Sequence, residues 1–169
     1  MTKTKQLLMC LVLITNVIMS SCSKKDDTPD PDPQLPKGSL TVTLNGSGFS
    51  NVTMTFNTTG VAVLEAGYTG CEFIDAQNNV AVVGFTGATT GTYMINEETS
   101  DDNNLVISLD NGTTIIGLST GSVIVTGFGI TGQEITGTVS GTGFISRSGN
   151  EPTEIELKNC SFSATRLTK

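Results

Sequence analysis

Apolar and polar residues alternate with a period of two along most of the chain after residue 38, and clusters of Gly, Asn and Asp interrupt the alternation. Leu40, Val42 and Leu44 share one parity, and Met54 and Phe56 repeat the pattern. Because successive side chains of a β-strand point to opposite faces, this period predicts strands with one buried face; no segment shows the period of a helix, about 3.6 residues. We therefore expect an all-β domain of about nine or ten short strands.

The clearest local signal is a hairpin centred on the Asn-Gly pair at residues 111–112. Asn-Gly adopts the positive φ angles of a type I′ turn, and a turn of this length fixes the register of the strands on either side. Leu109 then faces Thr114, and Ile107 faces Ile116, so the larger apolar residues of both strands lie on one common face.

Three other features of the strand pattern make specific predictions. Gly70 predicts a turn between strands at residues 61–68 and 71–76. Repeated glycine in the strand at residues 134–145 predicts sharp coiling or the close approach of another sheet. The alternation changes phase at residues 158–159, and a β-bulge there accounts for the slip of one residue.

The first residues have the three parts of a signal peptide. Lys3 and Lys5 form a positive start, residues 7–19 form an apolar stretch of 13 residues, and small residues precede Cys22. Because a membrane-spanning helix needs about 20 apolar residues, this stretch is too short to remain in the bilayer. We expect cleavage before Cys22 and a lipid on this cysteine, which anchors the chain to a membrane.

The sequence thus divides into three parts. Residues 1–21 are the predicted signal peptide, residues 22–37 are a lipidated tether rich in Pro and Asp, and residues 38–169 are the β-domain. Repeated proline and mutually repelling aspartates keep the tether extended over about 45 Å. For the domain, short antiparallel strands without helices predict a β-sandwich, with a squat β-barrel as the alternative.

Two sets of residues resemble lipoproteins of the Bacteroidota. The Ser-Lys-Lys-Asp-Asp cluster at residues 23–27, next to Cys22, is similar to the signal that sends lipoproteins of that phylum to the outer face of the outer membrane. Residues 91–93, 135–141 and 156–162 resemble a family of small lipoprotein domains from the same phylum. The resemblance implies an outer-membrane lipoprotein that faces the cell exterior, with the periplasmic face as the alternative, and implies no activity.

The charge of the chain excludes one class of partner. Its 9 basic and 16 acidic side chains give a formal net charge of -7, and without Lys3 and Lys5 the remaining 7 basic residues give -9. An acidic chain repels nucleic acid, and no cluster of Lys and Arg with aromatic residues predicts a phosphate-binding groove. We therefore expect no nucleic-acid partner.

Two cysteines remain in the predicted domain. Cys10 leaves with the signal peptide and Cys22 carries the lipid, which leaves Cys71 and Cys160. Because the compartments outside the inner membrane are oxidising, we expect a disulfide between Cys71 and Cys160. The alternative is that both are unpaired and buried as small apolar side chains.

The absence of histidine excludes Ser-His-Asp and Cys-His catalysis and histidine-ligated zinc or copper sites. Catalysis by paired carboxylates stays open, because Glu65, Glu72, Asp75 and Glu134 lie in or beside strands. The parity of Glu65 predicts a solvent-facing position near a strand end. We predict no catalytic residue and no cofactor.

Oxygen-bearing side chains gather in the loop at residues 97–104, where Asp101 and Asp102 are candidate calcium ligands. Their spacing matches no calcium-binding loop, and the glycine that bends such a loop is missing. A solvated loop is therefore the better interpretation, and calcium binding is kept as a hypothesis.

Together these observations favour a non-enzymatic, lipid-anchored protein with a binding or adhesion role toward a glycan or a protein partner. The alternatives are a glycan hydrolase that uses carboxylates alone and a structural envelope lipoprotein without a small ligand. A deep cleft with two facing carboxylates favours the hydrolase, whereas a threonine-rich surface favours the binding protein.

Overall fold

Ten β-strands make up the fold of the residues that the computed structural model describes, which are 36–96, 99 and 102–168. The strands are β1 (Ser39–Gly46), β2 (Phe49–Phe56), β3 (Thr59–Glu65), β4 (Tyr68–Ile74), β5 (Val80–Thr86), β6 (Gly91–Ile95), β7 (Asn104–Leu109), β8 (Thr114–Phe128), β9 (Glu134–Arg147) and β10 (Thr153–Arg166). A tight turn, Asp110–Gly112, joins β7 to β8. The predicted all-β fold is confirmed.

The strands pair in the order β2, β1, β10, β3, β4, β5, β7, β8 and β6, and β9 pairs with both β10 and β8. Among the described strands every pairing is antiparallel except that of β10 with β3. This parallel contact consists of two residue pairs, Thr165 with Val61 and Arg166 with Ala62. Because it is so short, the sheet does not close as an even barrel, and the fold is sandwich-like, as the sequence predicts.

Apolar side chains from all ten strands form the core. Phe73 on β4 meets Phe162 on β10 edge to face, with ring centroids 6.4 Å apart. Phe85 on β5 meets Phe128 on β8 in the same way, also at 6.4 Å. Burying one such ring contributes roughly 1.5–3 kcal/mol, so these pairs hold together strands that are distant in sequence.

The predicted hairpin between β7 and β8 is confirmed. Asn111 and Gly112 have φ angles of 55° and 86°, which are the positive values of a type I′ turn. The Thr113 amide donates a hydrogen bond of 3.4 Å to the Asp110 carbonyl and closes the turn. The strands pair in the predicted register, Leu109 with Thr114 and Ile107 with Ile116.

The predicted position of the turn after β3 is wrong. The turn lies at Ala66 and Gly67, which have φ angles of 50° and 84°. Gly70 instead lies inside β4, where it pairs with Val63. A β-carbon at Gly70 would be 3.5 Å from the Tyr68 ring, so the glycine lies beside this ring rather than in a turn.

Strand β8 is continuous over 15 residues, from Thr114 to Phe128. Gly121 in its middle pairs with Gly141 of β9. A β-carbon at Gly141 would collide with the carbonyl oxygen of Thr120, so the two backbones approach too closely for any side chain there. The close approach is therefore to the paired strand β8 of the same sheet, and not to another sheet as the repeated glycines predict.

The predicted bulge in the last strand is confirmed. The pairing of β10 with β9 shifts between Leu157 and Cys160, and Asn159 has a positive φ of 51°. The core-facing residues of β10 therefore change parity at the bulge and are Ile155, Leu157, Cys160, Phe162 and Ala164.

The predicted signal peptide, the predicted lipidation residue Cys22 and nearly all of the tether lie outside the described residues. The predictions made for them, and the boundaries at residues 21 and 37, stay predictions. Within the described part of the chain, no helix has the length and apolar character needed to cross a membrane.

Candidate functional site

The outward surface of β1, β2, β8, β9 and β10 is lined by hydroxyl side chains, and we call it the hydroxyl face. Each strand contributes threonine or serine at alternate positions, because the other parity faces the core. Its residues are Thr41, Thr43, Thr53, Thr55, Thr120, Thr126, Thr136, Thr138, Ser140, Thr142 and Ser161.

The strand register joins these hydroxyl groups into continuous rows. Thr55 pairs with Thr41, Thr41 with Ser161 and Ser161 with Thr138, which places one hydroxyl residue on each of four adjacent strands. At a strand spacing of about 4.8 Å this row spans roughly 14 Å. Ile124, 40% exposed, follows Thr138 on β8, and the exposed Thr92 on β6 follows Ile124 in the same row.

Several of these hydroxyl groups lie within hydrogen-bond distance of one another across strands. The Oγ1 atoms are 3.4 Å apart between Thr43 and Thr53, 2.9 Å between Thr120 and Thr142 and 3.3 Å between Thr126 and Thr136. Each hydroxyl donates one hydrogen bond and accepts two, so a pair of this kind retains capacity to bind a ligand. The rigid sheet fixes the positions of these groups.

The outward surface of β3, β4, β5 and β7 has a different composition, and we call it the valine face. The aliphatic residues of this surface are all half-buried: Val61, Val63, Ile74, Val80, Val82 and Val106. In one row the register places Glu72 between Val61 and Val82, and Val106 follows Val82. The same row continues on β8 and β9, where Phe144 lies against Gly117.

Glu72 is the acidic residue of this row. Within the described residues, its carboxylate has no hydrogen-bond or ion-pair partner. Burial raises the pKa of the Glu72 carboxyl above its ordinary value, because the neighbouring valine side chains exclude water that would solvate the charge. The structure therefore places an unpaired carboxylate in a largely apolar environment.

Replacing Glu72 with glutamine should stabilise the protein more at pH 7 than at pH 3.5. The raised pKa means that the folded protein binds a proton at Glu72 more tightly than the unfolded chain. In the wild type, the stability gained from this proton is therefore complete below the unfolded pKa, roughly 4.3, and is lost as pH rises through the folded pKa. The neutral glutamine does not undergo this loss. Thermal unfolding across this pH range measures the difference in Tm between Glu72→Gln and the wild type.

Glu154→Gln is the matched control, because Glu154 is an exposed carboxylate that pairs with Phe144 in the same row. The prediction requires the Tm difference from the wild type to change more with pH for Glu72→Gln than for this exposed control. A Tm difference for Glu72→Gln that does not change with pH would contradict the prediction.

The other candidate carboxylates are not brought together. As the sequence predicts, Glu65 is exposed at the end of β3, where it pairs with Tyr68. Because Glu65 is level with Tyr68, it lies four residues from Glu72 along the strands, about 13 Å. The paired carboxyl groups of glycosidases lie within about 9.5 Å of each other. Glu134 is exposed at the start of β9.

Asp75 has a structural role at the end of β4. Its carboxylate accepts hydrogen bonds from the backbone amides of Gln77 and Asn79, at 2.8 and 2.9 Å, and from the Asn79 side chain at 2.8 Å. These bonds close the turn that leads into β5. The carboxylate is therefore occupied in holding the backbone.

An open depression of about 250 Å³ is lined by Asn45, Gly46, Glu154, Ile155 and Glu156. Lys158 lies 2.9 Å from Glu156, and its hydrogen bond lowers the pKa of this carboxyl. Glu154 and Glu156 both line the depression, but they project side by side from alternate positions of β10, so the depression does not place two carboxylates on opposite sides of a bound substrate.

The calcium hypothesis gains no support from the part of the loop that the structure describes. Asp102 is exposed, and Asp101 lies outside the described residues. The buried Asn103 side chain accepts a hydrogen bond from the Thr86 amide and donates one to the Met94 carbonyl, both of 2.8 Å. These bonds hold the loop against β5 and β6. No group of three or more acidic or cysteine residues in the described ranges is arranged to hold a metal ion.

The predicted disulfide is not formed, because Cys71 and Cys160 are free thiols buried in the core. Cys71 lies two residues before Phe73 and Cys160 two residues before Phe162, and these rings meet across the core. In the strand register Cys71 is level with Ala62 on β3, and Ala62 is level with Arg166 on β10, so Cys160 lies six residues away, roughly 20 Å along the strand. A disulfide requires α-carbons within about 7 Å.

Both thiols should resist alkylation in the folded protein. Burial raises the pKa of Cys71 to about 12 and that of Cys160 to about 11, so little reactive thiolate forms near pH 8. Mass spectrometry after iodoacetamide treatment should find neither residue modified in the native protein and both modified in guanidinium without reductant. Failure of both to react after unfolding would show that a disulfide forms.

No family model matches the chain, and neither the curated proteins nor the solved structures contain a match to it. The functional interpretation therefore rests on the chemistry of the two outward faces. The valine face is not predicted from the sequence. The apolar run at residues 80–85 gave a signal for it, because a strand that is apolar on both faces usually lies in a sheet that is covered on both sides.

Proposed function

We propose that the protein is a lipid-anchored envelope lipoprotein with a non-enzymatic binding or adhesion role, and that it binds a glycan through the hydroxyl face. The observation that carries this proposal is the row of hydroxyl residues that runs across four adjacent strands. Glycans present many hydroxyl groups, and threonine and serine hydroxyls pair with these as donors and as acceptors. Because a sheet is already ordered, little conformational entropy is lost on binding.

The location is proposed from the leader. Cys22 with its small preceding residues is the proposed lipidation site, and the Lys-Asp-Asp cluster that follows favours display at the cell exterior over the periplasmic face. The proline-rich tether would hold the domain away from the lipid headgroups. The hydrolase alternative is weaker, because the described carboxylates include no facing pair.

The glycan proposal is tested with the mature lipoprotein in lipid nanodiscs on an array of bacterial and host glycans. A triple variant, Thr41→Val, Ser161→Ala and Thr138→Val, removes the central row of hydroxyls with little change in volume. We expect the affinity for any bound glycan to fall at least about tenfold, since each lost hydrogen bond is worth roughly 0.5–1.5 kcal/mol.

Thr86→Val serves as the matched control, because Thr86 is exposed at the end of β5 and outside the hydroxyl face. This variant should retain wild-type affinity. An array without any bound glycan, or equal affinities for the wild type and the triple variant, would remove the proposed role of the hydroxyl face.

The location is tested by adding protease to intact cells. If the domain faces the exterior, the protease should remove it from whole cells, and a Cys22→Ala variant should lose its membrane attachment. Digestion only after the outer membrane is broken would instead favour the periplasmic face and the structural envelope role.

A further inference from the structure

The valine face does not resemble the other outward surface of the same domain. Threonine and serine occupy most water-facing positions of β1, β2 and β9, whereas valine and isoleucine occupy the middle rows of the outward surface of β3, β4, β5 and β7, beside Thr59, Tyr68, Thr86 and Ser108. Strands with near-continuous apolar sequence are typical of sheets covered on both sides, while a solvated face is usually polar. The composition of β5, apolar at both parities, therefore indicates a surface that is covered in the assembled state.

We propose that the valine face is a docking surface for a second protein, whose apolar side chains cover the valines and whose arginine or lysine pairs with Glu72. This proposal is independent of glycan binding, because it concerns the other outward face. Glu72 lies between Val61 and Val82 in the row, so a partner that covers the valines also covers the carboxylate.

A covered carboxylate requires a cation. Taking an ionised carboxylate out of water is costly unless an opposite charge and hydrogen bonds replace the solvent. Within the described residues, Glu72 has no such partner from its own chain. An arginine is especially well suited, because its planar guanidinium forms two parallel hydrogen bonds with a carboxylate.

A second copy of this chain fits the face poorly. A symmetric dimer through the valine face would cover two Glu72 carboxylates, and each chain has a formal net charge of -7. Three of the four described cations are engaged elsewhere, since Arg147 lies over Phe49, Arg166 over Phe128 and Lys158 against Glu156. The charge therefore favours a different, basic partner surface.

The test uses two fluorescein-labelled peptides with the sequence Ser-Val-Ser-X-Ser-Val-Ser. In the first, X is arginine, and in the second it is citrulline, a neutral side chain of nearly the same shape. In an extended peptide, X and the two valines lie on one side, which reproduces a cation among apolar groups. Fluorescence anisotropy measures the affinity of each peptide for the mature lipoprotein in nanodiscs.

We expect the arginine peptide to bind the wild type at least about fivefold more tightly than the citrulline peptide. Glu72→Gln should make the two affinities equal, while Glu154→Gln should keep the difference. Val82→Thr, which conserves side-chain shape, should weaken the binding of both peptides. Circular dichroism establishes that each variant is folded.

Three results would overturn the proposal. The first is equal affinity of the two peptides for the wild type, or no saturable binding of either. The second is a preference for arginine that survives Glu72→Gln, because the cation would then bind elsewhere. The third is a dimer in analytical ultracentrifugation that Glu72→Gln strengthens, because a second copy would then cover the face.

Discussion

Phe73→Ala will lower the free energy of unfolding by about 3–5 kcal/mol. The Phe73 ring is fully buried and meets Phe162 across the core, so its removal leaves a cavity between two strands that are not neighbours in sequence. Since a domain of this size is stable by about 5–15 kcal/mol, the loss is a large share of the total. Equilibrium unfolding in urea, monitored by circular dichroism, measures the change.

Phe144→Ala is the control for that substitution. Phe144 is 39% exposed and lies over Gly117 on the outward surface, so its removal opens no internal cavity. We expect a loss of only about 1 kcal/mol. Equal losses for Phe73→Ala and Phe144→Ala would mean that the contact across the core is not what stabilises the sandwich.

Gly141→Ala should destabilise the protein by about 1–3 kcal/mol, although alanine is normally the better residue in a strand. The added β-carbon would collide with the Thr120 carbonyl oxygen and would lie 2.9 Å from the Gly121 α-carbon. Both of these are backbone atoms of β8, so the strands must separate along their pairing. Urea unfolding is again the measurement.

Gly70→Ala is the control for Gly141→Ala, and we expect it not to destabilise the protein. A β-carbon there would meet only the Tyr68 ring, at an ordinary contact distance of 3.5 Å. We therefore expect an unchanged or slightly higher free energy of unfolding, because alanine loses less entropy than glycine on folding. A loss as large as that of Gly141→Ala would show that the glycines in these strands are not distinguished by backbone approach.

The parts of the fold that were predicted correctly depend on residue types with narrow backbone preferences. Asn111 and Gly112 adopt the positive φ angles that few other pairs accept, and Asn159 does the same in the bulge. The turn at Ala66 was not predicted, because alanine has no such preference: it rarely adopts a positive φ, so its presence in a turn gives no signal in the sequence.

The outward faces could not be assigned from the alternation alone. In β5 both parities are apolar, so the period does not indicate which side faces the core. That decision depends on which strands become neighbours, and the placement of β10 beside β3 joins the last strand to one far from it in sequence. The separation of Cys71 from Cys160 follows from the same topology, which no spacing in the sequence encodes.

The position of β10 has a consequence for the order in which the chain can fold. This last strand pairs with β1, β3 and β9, so it holds together the first strand, the middle of the chain and its own neighbour. Strands made earlier have no complete sheet to join until residues 153–166 are present. If the chain is exported as proposed, the sheet can be completed only after its last strand has crossed the membrane.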